Sequence, residues 1–184
     1  MPDANITKKA LAESMKKLMA AKSFDKISVI DICNECGMNR KSFYYHFKDK
    51  YDLVNWIFYT DFIMLVSTRN YSNGWDLVVA VVDLFYKDRP FYKSALQIEG
   101  QNSFRDYFYE SMMPIFRLFI QETGIDDKML DENTHYMSDA FLAILNRWLL
   151  DGCREEPVTF TRNLQKLIHG IDKGVTEQSA HEES

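Results

Sequence analysis

The most chemically distinctive stretch of the chain is Asn39-Arg40-Lys41-Ser42-Phe43-Tyr44-Tyr45-His46-Phe47, with Lys50 close behind. It gathers the groups that a DNA duplex selects. Arg40 and Lys41 can donate to guanine O6 and N7, and Asn39 can pair with adenine. The hydroxyls of Ser42, Tyr44 and Tyr45, with His46 and Lys50, suit phosphate oxygens, as do backbone N–H groups at a helix N-terminus. Phe43 and Phe47, four residues apart, can anchor such a helix to a core. The other reactive side chains carry less. Cys33 and Cys36 have the spacing of a redox or zinc pair, but no strand precedes them and no two further ligands lie near, so they read as small buried hydrophobes. The histidines at 46, 135, 169 and 181 are scattered. There is no glycine-rich phosphate loop, nucleophile elbow or carboxylate pair with an evident base. The expectation is a protein that is not an enzyme, with no metal and no cofactor.

A groove-reading helix needs elements to hold it, and the periodicity here is helical almost throughout. A first helix starts at Asn5 or Thr7 and ends near Lys22, with Leu11, Met15, Leu18 and Met19 on one stripe and Lys8, Lys9, Lys16 and Lys17 on other faces. Ser28 followed by Asp31 is a capping-box pattern that starts a second helix. Gly37 stops it, since glycine readily takes the left-handed conformation. Asn39 caps a short third helix, Arg40 to Phe47, and Asp49 caps a fourth that runs to about Thr68. Further helices are expected at Trp75 to Lys87, Phe91 to Leu96, Phe104 to Gln121 with a kink at Pro114, Asp131 to Asp151, and Pro157 to Lys173. No strand is apparent.

A helix, a glycine turn and a second short helix form a helix-turn-helix. At these residues the chain resembles the TetR family of transcriptional regulators. The family pattern reads here as Gly37, Ser42, Phe43, Tyr44, His46, Phe47, Lys50 and Leu53, without gaps, and Ser23 to Val29 resembles the family's link into its second helix. The resemblance covers residues 6 to 55. It implies that Tyr44, His46 and Lys50 contact phosphates, that Ser42 contacts phosphate or base, and that Arg40, Lys41 and Tyr45 meet bases. Ser28 and Val29 would lie near the adjoining backbone. It also implies a homodimer on near-palindromic double-stranded operator DNA.

Charge fits this division. Residues 1–50 hold ten basic and six acidic residues, a net of +4, while the whole chain carries -5. A locally basic end can bind a polyanion even in an acidic protein. The expected fold is all-α: a three-helix DNA-binding domain over 1–50, a helical-bundle regulatory and dimerisation domain over 51–173, and a disordered polar tail over 174–184. With no long apolar stretch at the start or elsewhere, the expectation is a cytoplasmic protein with no membrane partner.

The C-terminal helices offer two stripes. Trp56, Phe62, Phe85, Tyr86, Tyr107, Phe108, Met112 and Phe116 are candidates to line an effector pocket. Phe141, Leu145, Trp148, Leu149, Leu164, Leu167, Ile168 and Ile171 are candidates for a four-helix dimer interface. Leu53-x-x-Trp56-Ile57-Phe58-x-x-Asp61-Phe62, Gly74-Trp75 and Phe91-Tyr92 further resemble regulators of dihydroxyacetone kinase operons, which implies control by a coactivator protein in place of a small-molecule effector. The rival reading of the whole chain is a helical protein-binding adaptor that has lost operator binding.

Overall fold

A computed structural model describes residues 2–68, 70–122 and 127–168. Within them the chain is helical and no strand occurs. Helix α1 spans Pro2–Ala21, followed by a 3-10 turn at Phe24–Lys26, α2 at Val29–Glu35, α3 at Arg40–His46 and α4 at Lys50–Thr68. Then come α5 at Gly74–Lys87, α6 at Arg89–Ala95, α7 at Phe104–Gln121, α8 at Asp127–Leu150 and a helix α9 over 157–168. The expected 174–184 tail and Ile171 lie outside the described residues.

The first three helices and the start of α4 form a head. Leu11, Met15 and Met19 of α1 meet Ile32 and Cys33 of α2, Phe43 of α3 and Leu53 of α4 in its interior, all nearly solvent-free. Cys33 is a buried thiol and Cys36 donates its S–H to the carbonyls of Ile32 and Cys33, so the pair does structural work within the helix. Helix α4 belongs to both halves of the molecule. It packs on α1 at one end and on α5 and α7 further along, and the buried side chains run in one continuous cluster from Leu11 to Leu164.

The body is organised around rings. Phe85 and Tyr92 stack at 4.0 Å and 7° between planes. Phe58 meets Phe85, Tyr92, Phe104 and Phe108 edge-on, with centroids 5.4 to 6.4 Å apart. Edge-to-face and offset pairs of this kind suit the ring quadrupole and leave little free volume. In the protomer the residues expected to line an effector pocket fall in different surroundings. Phe85, Phe108, Met112 and Phe116 are buried at 1% exposure or less, packed as core. Phe62 stacks on Phe58 and Tyr107 sits edge-on to the same ring, both half-buried. Trp56 belongs to the head: it packs against Phe47, and the Lys8 ammonium lies 5.5 Å from its ring. Tyr86 is on the far side, stacked on Trp148 and donating to Glu156 at 3.0 Å.

The residues expected at a dimer interface also find partners within the protomer. Phe141, Leu145 and Leu149 point into the protomer's own core, where α8 packs on α7 and α6. Trp148 is buried between Tyr86 and Phe160, and its indole N–H donates to the Glu155 carbonyl at 3.0 Å. Leu164 is buried, Ile168 half-buried, and Leu167 is 53% exposed. A strict helical stripe at i, i+4, i+7 satisfied the protomer first. An open groove of about 460 Å³ lies between α8 and α9, floored by Ile144, Trp148, Phe160, Leu164 and Leu167.

Head and body are tied by a polar cluster that the sequence pattern did not reveal. Lys16, expected on an outer face of α1, is four-fifths covered. Its ammonium pairs with Asp61 of α4 at 3.2 Å and Asp88, between α5 and α6, at 2.8 Å. Tyr92 donates its hydroxyl to the same Asp61 oxygen at 3.0 Å. Burial opposes the charge on Lys16, but its hydrogen bond to Asp88 and the charges of Asp61 and Asp88 outweigh it and hold its pKa above the ordinary lysine range. Burial, with Asp61 beside it, pushes the Tyr92 hydroxyl well up.

Candidate nucleic-acid interface

Helix α3 is seven residues long and could not persist alone in water. Three local devices hold it. Ser28 and Asp31 form a reciprocal capping box at the start of α2: the Ser28 hydroxyl accepts from the Asp31 N–H at 3.1 Å, and Asp31 accepts from the Ser28 N–H at 2.9 Å. The chain then leaves α2 through Gly37 at φ +68°, with Met38 N–H bonded back to the Cys33 carbonyl at 2.8 Å. A side chain is strained at that φ, so glycine belongs there. Asn39 then caps α3, its side-chain oxygen accepting from the Ser42 N–H at 2.9 Å.

These devices fix which faces of α3 are available. Phe43 is completely buried and Phe47 nearly so, as their spacing predicts. Asn39, Arg40, Lys41, Tyr44 and Tyr45 are exposed, Tyr45 at 82% and Tyr44 at 50%, while Ser42 and His46 are half-buried. Arg40 lies along the Tyr44 ring, 5.6 Å from its centroid, and reaches its hydroxyl at 3.4 Å. Tyr45 stands edge-on to His46 at 4.9 Å. Ser28 is exposed at the mouth of α2, whereas Val29 is half-buried against the core. The face therefore offers two cations, two phenols, an amide and a hydroxyl on a rigid scaffold.

Its electrostatics are supplied by short ion pairs. Asp31 is held down to about 2 by the Ser28 N–H first, then by the Ser28 hydroxyl and Lys22, whose ammonium is 3.1 Å away. Lys17 pairs with Glu35 at 3.5 Å. These pairs place Asp31 and Glu35 toward α1, while Ile32 and Cys33 face the core. Ile30 is left on the open side of α2, 50% exposed. The sequence leaves it unassigned, since it stands outside the apolar side made by Ile32, Cys33 and Cys36.

Lys50 departs most from expectation. Its ammonium donates to the carbonyls of Phe24 and Ile27, at 2.9 and 3.0 Å, and sits 4.1 Å from the Phe24 ring. The sequence placed it on the DNA backbone, yet two of its three protons are spent inside the head. Among the described residues there is no group of three His, Cys, Asp or Glu arranged to hold a metal, and no helix long and apolar enough to cross a membrane.

Comparison with known proteins places this geometry. Residues 11–57 match the model of the bacterial regulatory proteins of the tetR family, and residues 75–170 match that of a transcriptional regulator C-terminal region of the same family. The chain is 25% identical over 175 residues to the HTH-type dhaKLM operon transcriptional activator DhaS of Lactococcus lactis, covering 93% of this chain and 89% of that protein. It is 25% identical over 156 residues to an HTH-type transcriptional regulator of Staphylococcus aureus, covering 81% and 83%. A solved structure of the dihydroxyacetone kinase operon activator DhaS superposes with a TM-score of 0.69 at 24% identity, covering 91% of this chain and 97% of that one. With one family model matched over residues 11–57, which include the capped, exposed helix α3, and another over residues 75–170, the chain belongs to the TetR family of transcriptional regulators, which bind DNA through the N-terminal helix-turn-helix.

Proposed function

We propose that the chain acts as a cytoplasmic homodimer on a near-palindromic operator, each α3 lying in the major groove. The observation that carries this reading is the row of exposed polar side chains on α3 above a buried Phe43. Arg40, Lys41 and Tyr45 meet base edges, with Asn39 beside them. Ser42, Tyr44 and His46 contact phosphates, and Ser28 with the α2 N-terminus anchors the neighbouring backbone. Two reading helices about 34 Å apart, one turn of DNA, would set the half-site spacing.

The dimer face we favour differs from the sequence expectation. Tyr136, Ala140, Ala143, Ile144 and Arg147 follow i, i+4, i+7, i+8, i+11 along the uncovered side of α8, and the apolar groove beside α9 continues it through Leu167. Small residues at 140 and 143 let two copies of α8 approach closely about a two-fold axis. Ala143→Glu is expected to shift the sedimenting species from dimer to monomer; an unchanged dimer would reject this face.

Control passes through the C-terminal unit, by a small molecule or a coactivator protein, and it works only through a difference in affinity for two arrangements of the heads. The likeness to a dhaKLM operon transcriptional activator supports activation of transcription as the output. Operator binding is tested by anisotropy with the DNA upstream of the chain's own gene at two salt concentrations, which separates a regulator from an adaptor. Arg40→Ala is expected to cost roughly 1–3 kcal/mol on the operator and much less on random duplex. Equal losses on both would remove Arg40 from base reading.

A further inference from the structure

Lys50 opens α4, yet its ammonium is turned back onto the 3-10 turn before α2. The two carbonyls it holds belong to Phe24, the first residue of that turn, and Ile27, the residue after it, and Ile27 already spends its own N–H on Phe24 at 3.0 Å. The carbonyl end of a helical turn carries partial negative charge, so a cation there completes it. The next residue is Ser28, the cap of α2. Lys22 holds Asp31 of the same capping box at 3.1 Å. Two lysines thus bear on the α2 N-terminus, one through charge on a carboxylate and one through backbone carbonyls.

We propose that Lys50 serves DNA binding as a positioning residue: it locks the Phe24–Ile27 turn so that Ser28 and the N-terminus of α2 meet the phosphate backbone, and it makes no phosphate contact itself. Reaching a phosphate would cost it carbonyl bonds and its seat on the Phe24 ring. Burial also lowers its pKa, partly offset by Asp25. This inference rests on the reading of the α2–α3 face as the DNA surface.

The two roles differ in salt dependence. Each phosphate contact contributes about one to the slope of log K against log salt, while a residue that only positions others contributes nothing directly. Full-length wild type, Lys50→Met and Lys50→Gln are titrated onto a labelled random-sequence duplex between about 50 and 200 mM salt. Both variants are neutral, so either gives the readout if the other fails to fold. The expected result is binding about tenfold weaker, with the slope changed by less than about 0.3. A slope shallower by about one overturns the proposal, and so does unchanged affinity with only a lower melting temperature. Ser28→Ala should cost affinity in the wild type and little more in Lys50→Met, because both act through one cap; full additivity overturns it as well. Wild type that binds no duplex even at low salt would instead sink the proposed function, and that is seen before any variant is compared.

Discussion

The head and the body of this molecule are held together by different physics. The head is short helices pinned at their ends: the Ser28–Asp31 box, the Asn39 cap, the Gly37 turn and the Lys50 grip on two carbonyls. Each is a polar contact with fixed direction, so it sets the aim of a side chain. The body is rings on rings, with Phe58 at the centre of five aromatic neighbours besides Phe62. Such packing is strong but weakly directional. A surface that must hold its side chains in register with a DNA groove is built from the first kind of contact, and a unit that carries it from the second.

The greatest loss is expected in the body. Phe85→Ala removes a ring stacked on Tyr92 in a space its neighbours already fill, and should cost about 3–5 kcal/mol in urea unfolding. A loss under about 1.5 kcal/mol would mean that the rings line collapsible space and that the effector pocket lies there after all. The seam between the two regions comes next. Lys16→Met leaves Asp61 and Asp88 without their shared cation, an expected loss of roughly 1.5–3 kcal/mol, with the salt slope of DNA binding unchanged because Lys16 is far from the reading face. A change in that slope would place Lys16 in the interface instead. The smallest effect is in the head and depends on pH. Asp31 titrates near 2 in the folded chain, below its ordinary 3.8, so its contribution is present above pH about 4 and is lost as pH falls toward 2. The stability difference between wild type and Asp31→Asn should therefore narrow from pH 5 to pH 3. A constant difference would show that the carboxylate is not what holds the cap.

The same contrast explains what the sequence could reveal. Ser28, Asn39 and Asp49 are legible as caps because each serves an N–H three residues on, and the structure bears all three out. Phe43 and Phe47 are legible as anchors because α3 has one buried side. Phe85, Phe108, Phe141 and Leu145 are legible only as apolar. Whether such a stripe faces a core, a cavity or a second chain is decided by what packs opposite, which no periodicity contains. The partners of Lys16 and Lys50 are illegible for a related reason: they lie 45 and 26 residues away in the chain, and a lysine's type does not say where its ammonium is spent.

The Lys16 cluster has a practical consequence for dissecting the protein. A fragment cut after the helix-turn-helix, ending near residue 57, would carry the lysine but none of Asp61, Asp88 or Tyr92. It would also uncover the side of α1 that packs on α6. Such a truncation severs the recognition helices from the contacts that orient them, so the isolated fragment is a poor surrogate for how the intact regulator meets its operator.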